Sequence, residues 1–343
     1  MLFLSSKIRF VKKTGLFDLD FYKKSTGLSF SNENSAIRHF LAQTKSENYS
    51  ASPHPLFDIK YYTETYSDVR LSGVNPLIHF VKNGAKERRD PHPLFSSKYY
   101  IENNADVAAS GINPLIHYVK HGALEGRNPH PLFDHKFYVL HNLKKSSFQG
   151  NSLLHYLNYG YAKGYETHQL FDAQYYVAQH PEVLTSKMMP LVHYLHTGYA
   201  QGYDPHLLFD TKYYVNQNPD LAEFGVNPLV HYLQNGGIEG RSPHPLFDSK
   251  FYLLRSPDIA AAGINPLMHY IAHGNTEGRD PNRFFHNSWY SKKYIGRQKH
   301  KVNALIHYIE IGADKHYEPS IFFHTDWYLE NNPGIEELGY KPL

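Results

Sequence analysis

The chain has 343 residues, 41% of them hydrophobic, with 35 Lys and Arg against 32 Asp and Glu and no cysteine. A net charge of only +3, spread along the chain, gives no basic patch for nucleic acid, and the missing cysteine excludes a disulfide framework or a thiolate metal site and fits a reducing compartment. No stretch approaches the roughly 18 apolar residues that span a bilayer, and the opening MLFLSSKIRFVKK has too short an apolar run for a signal peptide, its basic residues following that run instead of preceding it; a cytoplasmic protein is expected.

A phenylalanine recurs at Phe17, Phe57, Phe95, Phe133, Phe171, Phe209, Phe247, Phe285 and Phe323, in steps of 40 residues once and 38 thereafter. A histidine stands 22 residues after each of the first eight: His39, His79, His117, His155, His193, His231, His269 and His307. A fixed period in this range marks a repeat architecture, in which each unit buries its apolar face against its neighbours. The expectation is an all-α solenoid, right- or left-handed, of 38-residue repeats with about three short helices each, its core a stack and not two globules.

Residues 1–16 form a lead-in, helical in part, that caps the first repeat. Eight tandem repeats occupy 17–56, 57–94, 95–132, 133–170, 171–208, 209–246, 247–284 and 285–322. The first is degenerate, with Thr44 in place of a recurring glycine, and the eighth is looser; terminal repeats are atypical because one face meets water. A truncated ninth, 323–343, stops at Lys-Pro-Leu inside its third helix, so the sequence predicts the front part of a longer protein or a truncated chain.

Within a repeat, Asp58, Asp134, Asp172, Asp210 and Asp248 are placed to cap a first helix, which sets Phe209, Tyr213 and Tyr214 on one face. A second helix is expected over 218–222, opened by Pro219 and stopped by a left-handed Gly225. The third runs from the Asn227 cap and Pro228 to Leu233, with Gly236 closing it. It is apolar nearly all round and so belongs between layers. A Pro- and Gly-bearing loop, Glu239 to Pro245, turns the chain into the next repeat.

Eight histidines line the third helices, and His54, His92, His130, His168, His206 and His244 line the loops. A catalytic residue is rarely needed eight times at equal spacing, so His79, His117, His155, His193, His231, His269 and His307 read as structural, each satisfying a backbone carbonyl of an adjoining turn. His117 with His121, and His269 with His273, stand at chelating spacing but lack a third ligand in the pattern of a catalytic site; no metal or cofactor is assigned. Asp18-Leu19-Asp20 has the form of a metal-binding Asp-x-Asp, yet Asp18 falls where the other repeats place a helix cap. No GxxxxGK[ST], GxGxxG, GxSxG or HExxH occurs, so the chain itself reads as non-catalytic.

One variation stands out. The repeats from Phe57, Phe95, Phe209 and Phe247 end in Glu-x-Arg, as in Glu125 with Arg127 and Glu239 with Arg241, which reads as a surface ion pair. Those from Phe133, Phe171 and Phe285 carry Tyr165, Tyr203 and Tyr317 instead, and Tyr161 and Tyr199 enlarge the fourth and fifth loops. Tyr161, Tyr165, Tyr199 and Tyr203 are therefore a candidate patch for a glycan or an apolar partner, the alternative being that they pack as filler on the next repeat.

The full period, PLFDxxYYxxxNPDVxxxGxNPLxHYxxxGxxEGRxPHPLFD, and the opening Lys13-Thr14-Gly15-Leu16-Phe17-Asp18 resemble the tandem repeats found N-terminal to or flanking bacterial glycosyltransferase domains of surface-polysaccharide biosynthesis. The likeness covers about residues 7 to 343. It departs in the fourth repeat, which reads HNLKKSSFQGNSLLHY in place of Asn-Pro-Asp, and in the first, which lacks Asn-Pro-Leu. The resemblance implies a non-catalytic accessory region of a capsule or exopolysaccharide glycosyltransferase, cytoplasmic or held at the inner membrane by its partners. Such a region oligomerises or positions an acceptor or partner enzyme; a carbohydrate-binding module on the tyrosine patch is the alternative. The partners implied are protein, the chain itself or polysaccharide-synthesis enzymes, and in the alternative a glycan; neither nucleic acid nor an integral membrane segment is expected.

Overall fold

The computed structural model describes residues 2–43, 51–144, 148–186, 188–221, 225–296, 302–337 and 341–343. Among these residues the regular elements are helices and there is no strand; the extended pairings are isolated bridges such as His92 with Phe95, which close a tight turn. The all-α repeat fold expected from the period is present. By internal packing the chain divides into two compact bodies, Met1–His168 and Gln169–Leu343, where a single stack was expected from the period.

The repeat beginning at Phe95 shows how the local sequence builds the element. Ser96 accepts the Tyr99 N–H and opens a first helix, Ser97–Glu102; in other repeats the same cap is Asp18, Asp58, Asp134, Asp172, Asp210 or Asp248, each accepting a backbone N–H three residues on. The second helix, Ala105–Ser110, stops at left-handed Gly111 (φ 63°). Gly225 has the same conformation (φ 59°), as expected, while Ala222, the expected last residue of the second helix, lies outside the described residues, as does Thr44 of the first repeat. The third helix starts at the Asn113 cap and Pro114 and reaches His117. It then widens into a π-turn, Tyr118–Gly122, where the Ala123 N–H bonds back five residues to the Tyr118 carbonyl at 2.9 Å.

That π-turn corrects the expected role of Gly236. It does not close the third helix but lies inside the π-turn Tyr232–Gly236, and the left-handed stop falls at Gly240 (φ 80°). Gly236 is there for space: a Cβ on it would stand 1.9 Å from the Tyr214 hydroxyl oxygen.

The repeats are tied start to end by the cap residue's own N–H, which donates to a backbone carbonyl in the closing loop: Asp58 to Pro91 at 2.9 Å, Ser96 to Pro129 at 3.0 Å, Asp134 to Thr167 at 2.9 Å, Asp248 to Pro281 at 3.0 Å. Neighbouring repeats of one body share further bonds, from the Tyr232 hydroxyl to Ser249 Oγ at 3.1 Å and from the Tyr270 hydroxyl to Asn287 Oδ1 at 3.0 Å. The core is a set of columns. Leu94, Phe95, Tyr100, Val107, Leu115 and Tyr118 are all 0 or 1% exposed. At about 1.5–3 kcal/mol for each fully buried large apolar side chain, these columns outweigh any surface ion pair, which contributes less than about 1 kcal/mol.

The lead-in is a helix, Leu2–Thr14, with Ile8 and Val11 buried. Lys12 pairs with Glu33 at 2.7 Å, the Lys82 ammonium lies over the Phe10 ring, and Lys120 Nζ donates to the Lys13 carbonyl. It therefore caps the start of the array, as expected, and reaches the second and third repeats as well as the first.

Candidate functional site

The histidines of the third helices are bound in a way the sequence reading did not anticipate. Their partner is not a backbone carbonyl but the hydroxyl of a buried tyrosine 17 residues earlier in the same repeat. Tyr22 meets His39 Nδ1 at 2.9 Å, Tyr62 His79 at 3.1 Å, Tyr100 His117 at 2.9 Å and Tyr138 His155 at 2.7 Å. The second body continues the pattern: Tyr176 with His193 at 2.8 Å, Tyr214 with His231 at 2.9 Å, Tyr252 with His269 at 2.7 Å and Tyr290 with His307 at 2.8 Å. The physical reason is burial. A phenol at 0% exposure needs a polar partner, and the third helix presents an imidazole where the first helix delivers the hydroxyl. Burial lowers His117, His193, His231, His269 and His307 below the ordinary imidazole value and raises their tyrosines, so each pair is neutral near pH 7. The signal was in the sequence, since the tyrosine five residues after each phenylalanine accompanies the histidine in all eight repeats.

The loop histidines are equally committed. Nδ1 of His54, His92, His130, His206 and His244 accepts the backbone N–H two residues on, at 3.0 Å in each case. This holds the turn that leads into the next phenylalanine. Burial pushes His54, His206 and His244 down to about 4 and His130 to about 3, and lowers His92 as well. Asp18 of the Asp-x-Asp triplet caps its helix through the Phe21 N–H at 2.9 Å, and Asp20 lies 3.7 Å from Lys23.

The Arg and Tyr classes of loop differ in more than the loop. Arg127 bonds Glu125 at 2.6 Å, as expected, but its guanidinium also forks onto Asp106 at 2.7 and 2.8 Å and reaches Asn104 Oδ1 at 3.0 Å. Arg241 does the same with Glu239, Asp220 and Asn218, Arg279 joins Glu277 and Asp258, and Arg89 joins Glu87 and Asp68 while lying over the Tyr66 ring. The arginine is thus a strap from loop to second helix. Where it is absent the aspartate 21 residues upstream is absent too: Lys144, Glu182 and Gly296 stand in its place.

In those repeats flat rings replace the strap. Tyr203 stacks on His180 with centroids 3.4 Å apart and planes 3° apart, and Tyr317 on Tyr294 at 4.1 Å and 6°. Tyr165 lies parallel to His155 at 6.4 Å, with the Lys163 ammonium 5.9 Å from its centre. Of the four candidate patch residues, Tyr161 is exposed, at 46%, and Tyr165, Tyr199 and Tyr203 are half-buried. Tyr161 and Tyr165 belong to the first body and Tyr199 and Tyr203 to the second. Tyr203 covers one of its faces against His180 of its own repeat. Tyr159, which the sequence reading passed over, is 61% exposed and stands 5.7 Å from the His155 ring.

Among the described residues no group of three or more His, Asp or Glu side chains is placed to hold a metal ion, and no helix is long and apolar enough to cross a membrane. No family model, curated protein or solved structure matches the chain.

Proposed function

We propose that the array is a helical-repeat scaffold without catalysis of its own, acting as the accessory region of a bacterial glycosyltransferase in capsule or exopolysaccharide synthesis. Its role is to oligomerise or to position an acceptor or partner enzyme, in the cytoplasm or at the inner membrane through those partners. The observation that supports this reading is how the polar columns are used. The histidine, tyrosine, capping aspartate and arginine columns are engaged in bonds inside their own repeat, an arrangement suited to holding a shape. The association with surface-polysaccharide enzymes rests on the repeat motif alone.

The test uses the purified chain with a panel of nucleotide sugars and, separately, with transferases of polysaccharide assembly on a sizing column. Expected are no nucleotide release above the blank and a shift of the chain into a complex with itself or with a transferase. Nucleotide release that tracks the chain through purification sinks the reading.

A carbohydrate-binding module is the second reading, favoured by the exposed rings of Tyr159 and Tyr161. It requires saturable binding of a bacterial surface polysaccharide that Tyr161→Ala and Tyr165→Ala weaken.

A further inference from the structure

In two repeats a second imidazole stands beside the tyrosine-bonded histidine. In the third repeat His121 follows His117 on the π-turn, with ring centroids 5.7 Å apart and planes at 52°. In the seventh, His273 follows His269 with centroids again 5.7 Å apart and planes at 48°. In the other repeats the position of the second ring is Gln43, Asn83, Tyr159, Thr197, Asn235 or Ile311. We propose that each of these two pairs is a binding site for one divalent transition-metal ion of the zinc, nickel or copper kind, the protein supplying two nitrogens and leaving the remaining positions to water or to a ligand from a partner.

The geometry fits such an ion. With metal–nitrogen bonds of about 2.0–2.1 Å, a tetrahedral ion sits about 3.2 Å from each ring centre and sets the centres about 5.2 Å apart. Each pair therefore closes by about half an ångström on loading, well within the freedom of the outer ring, since His121 and His273 are exposed. The inner ring is already oriented. His117 Nδ1 lies 2.9 Å from the Tyr100 hydroxyl and His269 Nδ1 2.7 Å from that of Tyr252. A hydroxyl accepts as well as it donates, so with Nδ1–H donating to the tyrosine oxygen, Nε2 carries the lone pair that binds. This is the outer-shell support that metal-bound histidines ordinarily have.

The surroundings carry the right charge. Beside His117 stand Asp106, Glu125 and Arg127, and beside His269 stand Asp258, Glu277 and Arg279, each set bonded together with one negative charge in excess. Two imidazoles suit zinc, nickel or copper and not calcium or magnesium, which take oxygen ligands.

The experiment is calorimetric titration of the whole chain with nickel chloride and with zinc chloride near neutral pH, with calcium chloride as control. Two equivalents of nickel or zinc and none of calcium are expected. His121→Ala leaves one equivalent and His121→Ala with His273→Ala leaves none, the melting curve without metal being unchanged because both rings are exposed. Tyr100→Phe, which removes only the outer-shell oxygen, weakens the third-repeat site by roughly 10–100-fold. Uptake by the double variant equal to that of the parent chain, or no uptake by the parent chain, overturns the proposal. Neither result bears on the scaffold reading, which involves no metal.

Discussion

A single hydroxyl explains three columns of the repeat. The Tyr100 oxygen needs an acceptor or donor in the core and finds His117; to reach it, the hydroxyl occupies the place where residue 122 would carry a Cβ, 1.9 Å from the ideal position. Gly122→Ala therefore overpacks the site, and we expect a loss of about 1–3 kcal/mol in urea unfolding. Tyr100→Phe removes the clashing atom, so the two changes together cost less than their sum, and strict additivity in the double-mutant cycle refutes the account. A second glycine acts at the joint between repeats. The Asn265 amide donates to the Tyr232 carbonyl at 3.1 Å, passing where a Cβ on Gly237 would lie 2.3 Å from its nitrogen. In four other repeats the equivalent position is Ala85, Ala123, Tyr199 or Asn275, and the amide nitrogens of Asn113, Asn151, Asn227 and Asn303, 28 residues on, are buried without a partner. Gly237→Ala should add one more such nitrogen. The burial cost of about 1–3 kcal/mol exceeds the 0.5–1 kcal/mol that alanine gains over glycine in a helix, giving a net loss visible as a lower urea midpoint.

At the scale of elements, the strap and the ring stack are two solutions to one problem, fastening the closing loop to the second helix or to the turn before it. The strap is charged and lies at the surface, so its contribution falls with ionic strength. Asp220→Ala leaves Arg241 with Glu239 and Asn218. We expect the variant to melt below the parent chain in dilute buffer and to approach it in about 1 M salt, where screening acts over about 3 Å; a salt-independent gap would mean that Asp220 acts through packing. Sequence spacing reported the loop half of this arrangement and missed the other half. Glu125 and Arg127 are two residues apart and conspicuous, whereas Asp106 is 21 residues away and became meaningful only when the fold brought it to the same guanidinium.

For the whole molecule the sign of the pH dependence follows from burial. Folding holds five loop histidines below their ordinary 6.5, three at about 4 and His130 at about 3. The unfolded chain consequently binds more protons between about pH 4 and 6.5, and this part of the stability is complete above pH 6.5 and is lost as pH falls through that window. Asp90 and Asp204 oppose it. Burial raises them to about 7 and about 6 from 3.8, so their contribution is present in acid and lost as pH rises. Five groups against two decide the balance, and the urea midpoint should drop between pH 6.5 and 4. A midpoint that holds or rises on acidification contradicts the buried, neutral loop ladder.

The amino-acid sequence by itself determined the period, the all-α class, the aspartate caps of the first helices such as Asp58 and Asp210, the Asn227 cap of a third helix and the lead-in helix, because these depend on residues within a few positions of each other and on apolar spacing that any reader of the chain can count. The tertiary structure alone decided what each polar column is for. The partner of a third-helix histidine lies 17 residues away, that of a strap arginine 21 and that of Asn265 33, separations at which only folding brings two groups within hydrogen-bond reach. Gly236 shows the same limit most plainly: a glycine near a helix end reads locally as a stop, and the steric demand of a tyrosine hydroxyl from another helix makes it part of the turn.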